Sequence, residues 1–96
     1  MKLNKMKQYI IFAGLVGSFG GAQEQGVFTF YDEDEAIEEA YQAACQIYES
    51  YEGVQGLRTV QEIMYEEECS MEFAEDVYYE ERQNWLDYYV ELIEGE

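Results

Sequence analysis

The sequence predicts an α+β domain: a small antiparallel sheet of two or three strands packed against two or three helices. Three observations carry this. Two short runs rich in Ile, Val and Phe lie within the first 31 residues. A capped, amphipathic helical pattern opens at Asp32. Two further helix-start signals follow, at Thr59 and Ser70.

Residues 8–16 form an apolar run of strand length. Gly17-Ser-Phe-Gly-Gly-Ala22 reads as a flexible turn, and Gly26–Tyr31 alternates apolar and polar residues as a second strand. A loop of about ten residues between the two makes a hairpin the natural pairing. Met1–Lys7, the apolar run and Gly20-Gly-Ala22 also have the outline of a secretory signal peptide. Gly14 and Gly17 interrupt that run, and it is too short to span a bilayer. It is therefore assigned to the fold as a strand.

Asp32 is a helix cap and Glu35 stands three residues on, the spacing of a capping box. Ile37, Ala40, Tyr41, Ala44, Ile47, Tyr48 and Tyr51 recur at helical spacing. Gly53 is the left-handed terminator, which sets a helix over 33–52. Thr59 and Glu62 repeat the box and start a short helix reaching Glu67. Ser70 caps a third helix whose stripe is Ala74, Val77, Tyr78 and Trp85. Residues 87–93 fit either a continued helix or a third strand. Adjacent Tyr88, Tyr89 and Val90 favour the strand, and a lone two-stranded hairpin is marginally stable.

The 96 residues make one acidic domain, 1–96, with 48 % apolar residues, ten Tyr and five Phe. Acidic disordered chains lack this aromatic content. The net charge of −17 is unevenly placed. Residues 1–31 carry three lysines against Glu24, a balance of +2; residues 32–96 carry 21 acids against Arg58 and Arg82, a balance of −19. Such a surface repels nucleic acid and anionic membranes and favours basic partners.

The absence of histidine excludes a His-bearing metal site, a Ser-His-Asp triad and a Cys-His dyad. Cys45 and Cys69 lack metal-ligand spacing and read as two reduced thiols. Asp32-Glu-Asp-Glu35 lacks the Asp-x-Asp-x-Asp-Gly pattern of a calcium loop. Gly17-Ser-Phe-Gly-Gly21 lacks the Gly-Lys-Ser/Thr ending of a phosphate loop. No acid is marked out from twenty others for acid–base work. The sequence thus points away from catalysis, and no metal or cofactor is expected.

The acidic residues lie in helical rows. Glu35, Glu38 and Glu39 fall on the first helix, Glu66, Glu67 and Glu68 in the following connection, and Glu72, Glu75, Asp76 and Glu80 on the third helix. Like charges four apart, as in Glu35/Glu39, Glu68/Glu72, Glu72/Asp76 and Asp76/Glu80, destabilise a helix by about 0.2–0.5 kcal/mol per pair. An ordinary soluble surface mixes signs and avoids this cost. Carboxylates roughly 5–6 Å apart are commensurate with the phosphates of a nucleic-acid strand, about one per 3.4 Å. These ten residues are the candidate partner-binding set. Tyr65, Tyr79 and one of Tyr88 and Tyr89 are the tyrosines hardest to bury, and suit an interface.

Gly17-Ser-Phe-Gly-Gly21, the segment Tyr48–Met64 and Trp85-Leu-Asp-Tyr-Tyr-Val90 together resemble a family of small bacteriophage proteins. The likeness spans most of the chain and brings no catalytic motif; it implies a phage origin and the cytoplasm of a bacterial host. In charge, size and Tyr/Glu-rich helices the chain is also similar to phage DNA-mimic inhibitors of restriction and CRISPR nucleases. That likeness is compositional and transfers no residue. It implies a basic nucleic-acid-binding host protein as partner, with no direct binding of nucleic acid or membrane. The alternative is a structural or adaptor protein that self-associates as a homo-oligomer through a Tyr/Trp surface.

Overall fold

The computed structural model describes residues 6–54 and 56–94. It has the expected α+β architecture, with three strands and three helices. β1 (Lys7–Leu15) and β2 (Gly21–Phe30) form the N-terminal hairpin. α1 (Glu33–Ser50), α2 (Val60–Glu67) and α3 (Met71–Trp85) follow, and β3 (Leu86–Glu94) closes the chain. The sheet is antiparallel in the order β2-β1-β3, so the most apolar strand is the central one. Residues 87–93 are strand, and the reason is a partner. Val90 lies opposite Ile11, and Tyr89 opposite Phe12, whose ring it stacks on at 4.4 Å.

Alternation along β1 sends Tyr9, Ile11, Ala13 and Leu15 to one face, where all four are buried. α1 lies over that face, with Ala36, Ala40, Ala44 and Tyr48 fully inside. Small alanines let the helix approach the sheet closely. At one end Tyr9, Ile11, Ala36 and Ala40 pack with Phe30, Tyr88 and Val90. At the other, Leu15, Tyr48 and Leu57 pack with Phe19, Tyr78 and Trp85, which ties the second half of α3 to the body. α2 and α3 pack on each other, and each buries one residue fully, Ile63 and Ala74.

Local signals place the helices as expected. Asp32 accepts from Glu35 N, Thr59 and Glu62 form a reciprocal capping box, and Ser70 accepts from Phe73 N. The Glu35 carboxylate reaches one residue further back than a capping box does, to Tyr31 N at 2.9 Å. Several details differ from the sequence reading. The first helix ends at Ser50, not 52, and the hairpin connection is Val16–Gly20, not ten residues, because β2 begins at Gly21. The polar stretch 21–25 pairs with the end of β1 although it lacks alternation; most of its side chains are exposed, so no apolar face is required there. Gly14 permits the close approach, since a Cβ there would meet Gly21 O at 2.2 Å. Ile37 and Tyr51, assigned to the core stripe, are exposed: Ile37 sits on the flank of α1 and Tyr51 lies just past its end.

Tyr78 donates a hydrogen bond to Glu52, joining α3 to the end of α1. Burial, and then the Glu52 carboxylate, push the Tyr78 phenol well above its usual range. Burial also raises the Tyr48 phenol beside it. A raised phenol pKa means the native chain keeps protons that the unfolded chain loses above about pH 10. The stability these two phenols contribute is therefore level below that pH and falls as pH rises towards the folded-state values. Urea midpoints at pH 9, 10 and 11 should show this fall, and Tyr78→Phe should flatten it; an equal fall in that variant would assign the loss elsewhere.

Candidate acidic interface

The ten predicted acids do not form one patch. Glu35, Glu38 and Glu39 occupy the first turns of α1, at the end of the sheet where Tyr9 and Ala36 pack. Glu66, Glu67, Glu68, Glu72, Glu75, Asp76 and Glu80 lie on the α2–α3 hairpin, which leaves the body beyond the other end of α1. All ten are exposed. The two groups are thus distributed along a molecule of 59 × 30 × 16 Å. Its radius of gyration, 16.7 Å, exceeds the roughly 13 Å usual for a folded chain of 100 residues.

Their local roles are unequal. Glu35 is a capping group, and Glu38 accepts from Gln42 at 2.8 Å. Glu66 and Glu67 are held by Arg58, at 2.9 and 3.2 Å, and Glu81 of α3 pairs with the same guanidinium. Glu81, first, and then Glu66 keep that guanidinium firmly protonated. Arg58 therefore clamps α2 to α3. The sequence reading missed this because the residues involved lie 8, 9 and 23 positions away. Glu68 takes a left-handed conformation, φ 51°, and ends α2. Its spacing of four from Glu72 is consequently no helical pair, a correction to the sequence reading, since Ser70 starts a new helix between them.

Glu72, Glu75, Asp76 and Glu80 make the cleanest row: exposed, on one helix, and in no ion pair among the described residues. Both arginines of the acidic portion are engaged elsewhere. Arg58 serves the clamp, and Arg82 lies over the rings of Tyr79 (4.9 Å) and Tyr78 (5.8 Å). Asp76 stands four residues from both Glu72 and Glu80, so Asp76→Asn should raise stability by about 0.4–1 kcal/mol. Thermal denaturation at low salt measures it; a lower melting point would mean Asp76 makes a favourable contact instead.

Among the tyrosines, Tyr65 is 86 % exposed and Tyr79 and Tyr89 about half, while Tyr88 is half-buried against Tyr41. Tyr41 joins α1 to α3 by accepting from Gln83 at 2.9 Å and meeting the Tyr79 hydroxyl at 3.4 Å. Trp85 belongs to the junction core, edge-on to Phe19, so it lies outside any tyrosine surface.

Among the described residues, no group of three or more Cys, Asp and Glu side chains is placed to hold a metal ion, and no helix is long and apolar enough to cross a membrane. No protein-family model, curated protein or solved structure matches the chain.

Proposed function

We propose that this chain is a non-catalytic acidic inhibitor that occupies the nucleic-acid channel of a basic host protein. The class of target is a phage-restricting nuclease, either a CRISPR effector or a restriction enzyme, in the bacterial cytoplasm. One observation carries the reading. Set against a long dimension of 59 Å, the net charge of −17 amounts to about one charge per 3.5 Å, close to the ~3.4 Å per charge of a single nucleic-acid strand. Most of the acids are borne on the three capped helices, so their spacing is held and not averaged over a flexible tail. A channel built to neutralise phosphates meets here a rigid body of similar linear charge density.

Affinity capture from bacterial lysate tests this, with washes at 50 mM and 500 mM salt. The screening length between exposed charges falls from about 14 Å to about 4 Å across such a range. A nucleic-acid-binding protein should be retained at low salt and released at high salt, and added DNA or RNA should compete for it. Salt-insensitive capture, or capture indifferent to nucleic acid, would sink the mimic reading.

A second reading, self-association, is favoured by a specific surface. The sheet face opposite α1 is uncovered and carries Ile10, Phe12, Val27, Tyr89 and Ile93, the last three about half exposed. Sedimentation of the wild type against Tyr89→Ala separates the two: a dimer lost on this substitution supports self-association.

A further inference from the structure

A pocket of about 290 Å³ opens between the sheet and the end of α1. Its size is at the lower limit of small-ligand sites and leaves room for one large side chain. Phe19 and Tyr51 provide an aromatic wall, their rings 5.0 Å apart and inclined at 56°. Ile47 and Ser50 contribute from the last turn of α1, and Gln23 and Gln25 from β2.

Three independent features set the chemistry of an occupant. First, among the described residues no charged side chain lines the pocket, although the chain carries a net charge of −17. Second, the donors of both glutamine amides are used on backbone carbonyls. Gln25 Nε2 donates to Ala13 O at 3.2 Å and Gln23 O at 3.0 Å, and Gln23 Nε2 donates to Gly20 O at 3.3 Å. Their side-chain carbonyl oxygens remain as acceptors. Third, the pocket abuts the negative end of an 18-residue helix whose last turn holds no basic residue. A cation is stabilised at such an end, and an aromatic face adds to that. Acceptors, rings and a negative pole together select a planar cation with several donors, the properties of a guanidinium.

We propose that this pocket takes one arginine side chain of the partner, an anchor supplementing the acidic rows. The inference rests on the reading of the chain as a ligand for a basic protein and names the residue type that would be read. It also places a contact at the end of α1, in a pocket to whose described lining none of the ten acids contributes.

The test uses the whole protein, labelled with nitrogen-15, titrated with N-acetyl-arginine amide and, separately, with the neutral isostere N-acetyl-citrulline amide. Saturable amide shifts are expected at Gly14, Gly21 and Ser50, with the citrulline probe roughly tenfold weaker. Ser50→Lys, at an exposed position, places the chain's own ammonium at the helix end; it should abolish the shifts without lowering the melting temperature. Equal affinity for citrulline, shifts spread over the α3 carboxylates instead of the pocket, or arginine binding unchanged in Ser50→Lys would each overturn the proposal. The probe contains no partner protein, so the two readings fail separately. A negative titration with salt-sensitive capture intact removes the pocket alone, and lost capture with a positive titration removes the inhibitor reading.

Discussion

Tyr48→Ala should cost about 3–5 kcal/mol, the range for removing a large aromatic from a core. A domain of this size has a total stability of only about 5–15 kcal/mol, so the variant should be close to unfolding at 37 °C. The reason is position. Tyr48 is fully buried, packs with Leu15 and Leu57, and meets the Tyr78 ring edge-on at 5.7 Å. It therefore joins the sheet, α1, the loop before α2 and α3 in one cluster. Tyr48→Phe should behave oppositely. The Tyr48 hydroxyl is buried with no hydrogen-bond partner among the described residues, and an unpaired buried hydroxyl is a cost to the fold. Its removal should leave stability unchanged or raise it by about 1 kcal/mol. Urea denaturation of the two variants is the measurement. A Phe variant weaker by more than the Asp76 effect would show that the hydroxyl bonds to ordered water.

Reversing Glu72, Glu75, Asp76 and Glu80 to lysine should slow association with the basic partner by about 10- to 1,000-fold at low salt, the span of electrostatic steering. Each reversal changes the charge by two units, so the four take the net charge from −17 to −9. The fold should survive, since these side chains are exposed, the 72/76 and 76/80 pairs keep a like-charge cost of the same size with the sign reversed, and the net charge moves towards zero. Glu38 and Glu39 reversed together form the comparison, with Glu35 left intact because its carboxylate holds Tyr31 N at the start of α1. Equal losses in the two variants would mean that both ends of the molecule are engaged; a loss confined to the hairpin would make α3 the principal contact. Glu66 and Glu67 should be left intact in such experiments, because removing them loosens the Arg58 clamp and confuses binding with folding. Stopped-flow association at two salt concentrations decides between these outcomes. An unchanged rate in both variants would overturn the charge-reading mechanism.

The helices were legible because their signals are local. Asp32, Thr59 and Ser70 each reach a backbone N–H three residues ahead, a distance set by helix geometry alone. The candidate acids were legible as exposed for the same reason, being opposite or beside a periodic apolar stripe. The limits appear where a residue's state depends on a distant partner. Gly21–Gln25 has no strand pattern, yet it pairs because β1 offers an edge. Leu86–Glu94 was ambiguous until placed beside β1, more than 70 positions away. Glu68/Glu72 has helical spacing but spans a helix break.

The sequence by itself determined an acidic α+β fold, the starts of its helices, the near-exclusion of basic residues from its charged portion and the lack of histidine. Those properties depend on composition and on contacts within one helical turn. Only the tertiary structure decided that the acids divide between the start of α1 and the α2–α3 hairpin, that Arg58 consumes two of them, that Tyr48 lies at the junction of four elements and that a pocket with no charged wall among the described residues opens at the end of α1. Each of these depends on where elements far apart in the chain pack, and that is settled by burial of the sheet's apolar face and not by any local spacing.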